Sequence, residues 1–200
     1  MREKLITQGA EAQILLENNI IKKRRTKKSY RFPILDEKIR KSRTKKESKL
    51  LEKASALIPI PKIKISSLYE IDMEFIEGKK LSEYLDSIPN NIEICKIIGK
   101  QIAKLHDNNI IHGDLTTSNM ILKDNLVYFI DFGLGFISSK IEDKAVDLHL
   151  IKEALEARHF SISHDCFNAI LEGYKSSLNY SQVLARLKKV EQRGRYKEQY

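Results

Sequence analysis

The stretch that decides the fold is His112-Gly113-Asp114-Leu115-Thr116-Thr117-Ser118-Asn119, followed after a gap by Asp131-Phe132-Gly133. The gap, residues 120–130, reads as an apolar run, the polar pair Asp124-Asn125 and a second apolar run. Two apolar runs around a short polar turn predict a β-hairpin. Because a hairpin returns the chain to its starting point, we expect the polar side chains of the two motifs to lie together at the open end of the hairpin.

The order of these polar residues is typical of phosphoryl transfer from ATP. Such chemistry needs one aspartate that orients and deprotonates the attacking hydroxyl, and an asparagine and a second aspartate that hold magnesium on the phosphates. Asp114 is therefore predicted to be the proton acceptor, and Asn119 and Asp131 the metal ligands. His112 is predicted to pack and orient the loop, since the neighbouring aspartate already supplies a base. In the alternative interpretation, Asp114 and Asn119 merely cap a loop and Asp131 merely ends a strand.

The phosphates of ATP also require a lysine that is held by a carboxylate. Lys22, at the end of Ile20-Ile21-Lys22, fits the hydrophobic-lysine pattern of a kinase strand, and Lys23 is its direct rival. Strand alternation allows only one of the two to point into a cleft, and the pattern favours Lys22. Glu47 is the only acidic residue between Lys38 and Lys49, so it is predicted to be the partner carboxylate.

Two further segments are predicted to contact the nucleotide. The run Gln8-Gly9-Ala10-Glu11-Ala12 would cover the phosphates, although it contains one glycine where the usual phosphate-covering loop has three. A single glycine still permits a tight turn with free backbone N–H groups. After a predicted strand over 68–76, the backbone of Glu74, Phe75 and Ile76 would face the edge of the adenine.

The arrangement of predicted elements indicates an α+β fold. Short strands and one long helix, predicted from Asp36 to Leu57 with Asp36 as its N-cap, come first. A mainly helical part follows, with helices predicted near 143–158, 163–178 and 181–193. We expect a minimal two-lobed, protein-kinase-like fold: a small antiparallel sheet lobe over residues 1–76 and a reduced helical lobe over residues 77–200, with the ligand cleft between them.

The composition of the chain indicates the cellular compartment in which it is expected. Of its 200 residues, 42% are apolar and 32% are charged, and no apolar run is long enough to cross a bilayer. The first residues do not form a signal peptide. Cys95 and Cys166 stand far apart along the chain and form no CxxC pair, which argues against a zinc or disulfide framework. These features predict a cytoplasmic protein without a membrane partner.

The net charge of +9 is unevenly distributed along the chain. Residues 22–49 hold 14 Lys/Arg against three acidic residues, and residues 186–200 hold six against two. Two basic segments on a mildly acidic body favour a polyanion partner. Solvated helix faces would explain the same composition equally well, and the sequence leaves both interpretations open.

Some parts of a typical protein kinase are missing. No Ala-Pro-Glu follows Gly133, and the loop from Leu134 to Glu142 is short. Thr116 stands where protein kinases commonly carry a lysine that neutralises the transferring phosphate. Losing that charge should weaken transfer to a protein hydroxyl, so the acceptor could be water, a small molecule or the chain itself.

Taken together, these segments resemble the PRPK family, the small atypical kinases of the KEOPS complex. The resemblance rests on the GAEA run at 9–12, the Tyr30-Arg-Phe-Pro-Ile-Leu-Asp36 segment and the loop at 112–119, and it spans nearly the whole chain. Family members usually end in a basic tail, which Glu198 dilutes here.

The resemblance implies the following function. The chain would be a Mg²⁺-dependent ATPase and atypical serine/threonine kinase that supports threonylcarbamoyladenosine formation next to the anticodon of tRNA. Its partners would be the KEOPS threonylcarbamoyl-transferase subunit, other KEOPS subunits and tRNA, the last through segment 22–49 and the C-terminal tail. The resemblance also implies that Asp147 braces the loop at 112–119. An independent small-molecule or protein kinase and a non-catalytic RNA-binding scaffold of kinase shape remain alternatives.

Overall fold

A five-stranded antiparallel sheet forms the first part of the computed structural model, which describes the backbone of residues 3–197 and the side chains of residues 3–192. The strand order is β1-β2-β3-β5-β4. The strands are β1 (Lys4–Gln8), β2 (Ala12–Glu17), β3 (Ile20–Arg25), β4 (Ile63–Ser66) and β5 (Glu70–Glu74). The strand that carries Lys22 and Lys23 and the strand expected over 68–76 are present as β3 and β5, whereas β1 and β4, whose side chains are mostly exposed, were not expected.

The turn between β2 and β3 fixes which side chains face the interior. Asn18 and Asn19 both have positive φ angles, 48° and 63°, as two-residue hairpin turns require. This turn sets Lys23 opposite Ile14 on one side and opposite Ile71 on the other. Ile71 is buried, and residues directly opposite each other share a face, so Lys23 points inward.

A single long helix, α1 (Pro33–Ser55), packs against this sheet. Proline is favoured at the first helical position, and the helix begins there, earlier than predicted. The prediction of Asp36 as N-cap is wrong: Phe32 occupies that position, and Asp36 lies buried in the first turn. There its carboxylate accepts a hydrogen bond from Arg40 at 2.7 Å and lies 3.7 Å from Arg31.

The remainder of the chain is mainly helical and confirms the predicted hairpin. Strands β8 (Met120–Lys123) and β9 (Leu126–Phe129) pair across a turn in which Asp124 and Asn125 have positive φ angles. The helices are α2 (Leu81–Tyr84), α3 (Asn91–Asp107), α4 (Ile141–Arg158), α5 (Ser163–Tyr174) and α6 (Tyr180–Lys197), and the short strands are β6 (Lys79–Lys80), β7 (Ile110–Ile111) and β10 (Phe136–Ile137). None of the helices within residues 3–197 has the length and apolar character that a membrane span needs.

One continuous apolar core joins the two parts of the chain. It runs from Leu51 of α1 and Ile71 of β5 through Ile98 of α3 to Leu148 of α4 and Ile170 of α5. The division into lobes at residues 76 and 77 remains a prediction. Because a protein core is close-packed, this core gives the polar residues at the ends of the strands a rigid support.

Helices α3 and α5 approach each other so closely that glycine is required at their crossing. A Cβ atom at Gly99 would lie 2.0 Å from the carbonyl oxygen of Ile170, and one at Gly173 would lie 2.1 Å from that of Lys96. Both clashes are with backbone, which cannot move aside without separating the helices.

We expect Gly99→Ala to lower the free energy of unfolding by about 3 kcal/mol, because the helices must move apart and lose core packing. Urea unfolding followed by circular dichroism measures this. Gly9→Ala is the matched control, since its Cβ would meet only the oxygen of Ala12, at 3.7 Å. A Gly99→Ala protein as stable as the control would show that the crossing is not as tight as described.

Candidate functional site

The centre of the site is a buried lysine shared by two carboxylates. Lys23 is 8% exposed, and its Nζ donates to Glu47 Oε1 at 2.6 Å and to Asp131 Oδ1 at 2.7 Å. Burial disfavours the charged amine, but the two carboxylates outweigh it and raise the pKa of Lys23 above its ordinary value. Strand β3, helix α1 and the turn after β9 thus meet at one ammonium.

The choice of Lys22 over Lys23 is wrong. Lys22 lies opposite Asp72 on the outer face of the sheet, where its Nζ pairs with Glu17 at 2.7 Å and with Glu3 at 3.4 Å. Alternation along the strand puts neighbouring residues on opposite faces, so the inward position of Lys23 excludes Lys22 from the cavity. The prediction of Glu47 as the partner carboxylate agrees with the geometry.

Arg25 is a member of the site that the sequence analysis missed. Its guanidinium is 5% exposed and donates through Nη2 to Glu47 Oε2 at 2.6 Å. Glu47, at 1% exposure, therefore bridges two cations with its two oxygens. The signal was present in the sequence: Arg25 follows Lys23 by two residues, so both must lie on the same face of β3.

Asp131 occupies a backbone conformation that non-glycine residues rarely adopt. Its φ angle is 61°, and its Oδ1 also accepts a hydrogen bond from the N–H of Gly133 at 3.1 Å. Burial disfavours its charge, yet the Lys23 ammonium and these hydrogen bonds hold the pKa of Asp131 below its usual value. Left-handed residues of this kind cluster at functional sites, and the surrounding hydrogen bonds hold this one in place.

Asp114 and Asn119 are brought together by direct hydrogen bonds. Nδ2 of Asn119 donates to Oδ2 of Asp114 at 2.8 Å and to its backbone oxygen at 3.0 Å. The N–H of Ile130 donates to the backbone oxygen of Asn119 at 3.0 Å, which joins this loop to the residue before Asp131. The hairpin thus brings its two ends to one place, as predicted, and no hydrogen bond among the described residues uses Oδ1 of Asn119.

His112 orients the loop from inside, as predicted. It is fully buried; one ring nitrogen, Nε2, lies 3.1 Å from the carbonyl oxygen of Ile130, and Nδ1 lies 3.3 Å from the N–H of Asp114. A carbonyl oxygen only accepts and an N–H only donates, so the ring carries its proton on Nε2 and is neutral. Burial, which lowers the pKa of His112, favours the same neutral form.

Asp147 braces the same loop from helix α4. Its buried carboxylate accepts the N–H of His112 at 2.7 Å and the N–H of Gly113 at 2.8 Å. His106 lies 3.3 Å from this carboxylate through Nε2 and 2.9 Å from the hydroxyl of Tyr174 through Nδ1. The network fixes the loop backbone to α3, α4 and α5.

A second tether reaches the loop from the end of α4. His159 is buried and contacts Asp86 through Nδ1 and the hydroxyl of Thr117 through Nε2, the latter at 3.0 Å. Thr117 precedes Asn119 by two residues, so this contact holds the short helical turn that carries the asparagine.

Two adjoining cavities open beside these residues. The first, of about 360 Å³, has apolar walls that include Ile21, Met73 and Ile130, and reaches Asn119. The second, of about 400 Å³, contains Asp114 and Arg43. Both are lined by Thr7, Ile14, Lys23 and Asp131. The charged cluster therefore lies where the two cavities adjoin.

The other predicted nucleotide contacts are distributed over these cavities. Glu74, Phe75 and Ile76 line the first cavity. Four residues of the predicted phosphate-covering run line the second: Gly9, Ala10, Glu11 and Ala12. Gln8 lines neither in the described part of the chain; its side chain accepts a hydrogen bond from Gln13 at 3.4 Å. Glu11 also pairs with Arg43 at 2.5 Å and with Arg31 at 3.1 Å, which fixes the run to α1 and the segment before it.

The donor set suits a magnesium ion that is held by few protein groups. Within residues 3–192, no group of three His, Cys, Asp or Glu side chains could hold a metal by itself. Asp131 and Asn119 line the first cavity together and supply a carboxylate and an amide oxygen. Magnesium prefers oxygen ligands and usually keeps several waters, with substrate phosphates completing its shell. These two residues fit such an ion.

Comparison with solved structures defines the class of fold. The chain is similar to the Rio2 kinase from Chaetomium thermophilum, solved as an ADP/Mg²⁺–phosphoaspartate complex, with a TM-score of 0.63, 16% identity, and coverage of 96% of this chain and 70% of that one. It is also similar to APH(2")-IIa in a ternary complex with streptomycin and ATP (TM-score 0.62, 14% identity, 94% and 81% coverage). The fold is therefore protein-kinase-like, as predicted.

Sequence comparison then gives the family. The model of the RIO domain matches residues 16–145. The KEOPS complex subunit Bud32 of Pyrococcus abyssi is 40% identical, with 98% of this chain and 97% of that protein covered. The chain belongs to the RIO domain family and, within it, to the group that contains Bud32, which confirms the resemblance to the small KEOPS kinases.

Longer relatives contain a matching segment within a larger protein. A probable bifunctional tRNA threonylcarbamoyladenosine biosynthesis protein of Methanobrevibacter smithii is 41% identical over 97% of this chain, yet the match covers 37% of that protein. The corresponding protein of Methanocaldococcus jannaschii is 44% identical, with 98% of this chain and 37% of that protein covered.

We expect Glu47→Gln to lower the free energy of unfolding by about 3 kcal/mol, because Lys23 and Arg25 would lose the buried charge between them. Thermal or urea unfolding near neutral pH measures the loss. Glu52→Gln is the matched control on the exposed side of the same helix and should change stability by less than about 0.5 kcal/mol. Equal stabilities of the two variants would contradict the proposed importance of the buried bridge.

Proposed function

We propose that this chain is a Mg²⁺-dependent ATPase and atypical serine/threonine kinase. The observation that carries the proposal is the buried Lys23 ammonium, joined to Glu47 and Asp131 at the junction of the two cavities. A lysine fixed by a helix carboxylate, next to a metal-binding aspartate, is the arrangement that phosphoryl transfer from ATP requires. The fold and the family support the same conclusion.

Each side chain receives a role in this proposal. The first cavity, lined by Phe75 and Ile76, would take the adenine, and Lys23, held by Glu47, would bind the phosphates. Asn119 and Asp131 would hold magnesium, which would neutralise the charge of the phosphates. Asp114 orients the attacking hydroxyl and accepts its proton, as its place on the second cavity permits.

The acceptor is best explained as water, or a hydroxyl of the chain itself, in preference to a bound peptide. Between Gly133 and α4 the chain contains only a short segment, in which Phe136 and Ile137 (β10) pair with β7. This segment is too short to form a surface on which a peptide substrate could dock. Thr116 also lacks the positive charge that would assist transfer to a protein hydroxyl.

We infer that the chain acts in the tRNA threonylcarbamoyladenosine pathway as a subunit of a KEOPS complex. The names of the Bud32 relative and of the longer bifunctional relatives support this inference. Its direct partner would be the threonylcarbamoyl-transferase subunit, with tRNA contacts through segment 22–49 and the C-terminal tail. The side chains of residues 193–200 in that tail lie outside the described residues. The two buried, reduced cysteines support a cytoplasmic location.

Asp131→Asn should reduce ATP turnover by at least about 100-fold, because the metal loses a carboxylate ligand. Phosphate release with and without Mg²⁺ measures this. Asp124→Asn is the matched control: it makes the same change in the turn of the β8–β9 hairpin and retains a residue that tolerates the positive φ angle there. Undiminished turnover in Asp131→Asn would mean that the metal site is wrongly placed.

Lys23→Met and Lys22→Met separate the two candidate lysines. The first should weaken ATP binding and turnover by at least about tenfold, because the phosphates lose a buried charge-assisted hydrogen bond, and the second should leave both nearly unchanged. Calorimetric ATP titration and phosphate release measure the two effects. A larger effect of Lys22→Met would restore the prediction that the structure overturned.

Reconstituted modification of a tRNA transcript with a threonylcarbamoyl transferase tests the place in the pathway. Product should require this chain, and Asp131→Asn should fail to replace it. Full modification without the chain would favour an independent kinase, and full support by the inactive variant would favour a scaffold.

A further inference from the structure

Ion pairs divide the basic residues of segment 22–49 into two groups. Eight of its 14 Lys/Arg pair with carboxylates in the structure: Lys22, Lys23, Arg24, Arg25, Arg31, Arg40, Lys41 and Arg43. Within the described side chains the other six have no carboxylate partner: Lys27, Lys28, Lys38, Lys45, Lys46 and Lys49. The charge available to an outside partner is therefore much smaller than the composition suggests, and most of it lies on α1.

The free lysines of α1 form a line. Lys38, Lys45, Lys49 and Lys53 are spaced by seven, four and four residues, which places them on one side of a helix. All four are exposed. The row, which we call the α1 lysine row, extends for about 22 Å along the helix axis. The opposite side of the same helix carries Glu47, Leu50 and Leu51 into the interior, so the row lies on a fixed support.

We infer that the α1 lysine row binds the phosphate backbone of a double-stranded RNA stem. The inference rests on the proposed place of the chain in tRNA modification and specifies the surface that contacts the tRNA. A rigid row of unpaired ammonium groups matches the regular backbone of a duplex, which lysines neutralise without reading bases.

The composition of this face disfavours the other polyanions. Single-stranded nucleic acid is held by aromatic side chains on which bases stack, and between residues 38 and 53 the chain has no aromatic residue. A membrane-bound helix needs large apolar side chains beside its lysines. The exposed Phe32, Ile34 and Leu35 lie at the very start of α1, whereas the row extends along the rest of the helix.

The test replaces part of the row and compares it with lysines elsewhere. The full-length variant Lys45→Gln/Lys49→Gln/Lys53→Gln keeps good helix formers and removes three charges. The control Lys64→Gln/Lys100→Gln/Lys104→Gln removes three exposed lysines that likewise lack carboxylate partners in the described structure. Binding to an unmodified tRNA transcript, to an RNA hairpin and to a single-stranded oligonucleotide is measured at several salt concentrations.

We expect the row variant to bind tRNA and the hairpin at least about tenfold more weakly than the control, with a salt slope reduced by about two to three. ATP turnover without RNA should be unchanged in both variants. A loss of RNA binding can therefore be distinguished from a failure of the proposed catalytic site. Equal tRNA affinity of the row variant and the control would overturn the inference. So would a loss of affinity confined to the single-stranded oligonucleotide.

Discussion

A lysine ammonium that is withdrawn from water requires carboxylates around it, and this requirement organises the molecule around Lys23. The two carboxylates that contact it come from positions 47 and 131, far away along the chain. The central strand, the long helix and the turn after the hairpin must therefore all assemble before the whole cluster is complete. For this reason the fold and the candidate site form together, and the cavities lie where these elements meet.

In the loop at 112–119, by contrast, contacts from the rest of the molecule hold the backbone, so the side chains of Asp114 and Asn119 remain available. Asp147 accepts two of its N–H groups and His159 holds the hydroxyl of Thr117. These groups are buried in the helical part, where unpaired polar atoms would be costly. Asp114 and Asn119 consequently need only each other to remain in position, and they face the cavities with oxygens that the loop does not use.

Much of this arrangement could be predicted from the sequence because it rests on local rules. The hairpin followed from two apolar runs around a polar turn, and the meeting of Asp114, Asn119 and Asp131 followed from the hairpin. The choice between Lys22 and Lys23 depended on the register of β3, which is set by the turn at Asn18 and Asn19 and by the pairing with β5. A shift of one residue exchanges the two faces, so a pattern of residue types alone could not decide it.

Helix α1 shows a second limit of pattern reasoning. Its inner face carries a bridging glutamate as well as leucines, and its outer face carries lysines, so its apolar residues mark the buried side only in the last turns. The helix begins at Pro33, yet the first predicted residue was Asp36, because an aspartate before a helical pattern usually indicates a cap. Here that aspartate is buried and paired with Arg40 and Arg31 instead. Ion pairs with two nearby arginines have replaced the expected capping contact.

The cluster around Lys23 fits the nucleotide site of the proposed function, because Lys23 is not fully used within the protein. An ammonium has three donors, and Lys23 uses two of them on Glu47 and Asp131. Glu47 does not depend on Lys23 alone, because Arg25 holds its other oxygen. In the proposed function, the Glu47 carboxylate would therefore stay in place while the third donor of Lys23 bound a phosphate oxygen. Arg25 thus acts as the fixed partner of Glu47. This role explains why a second buried cation lies two residues after Lys23 on the same strand.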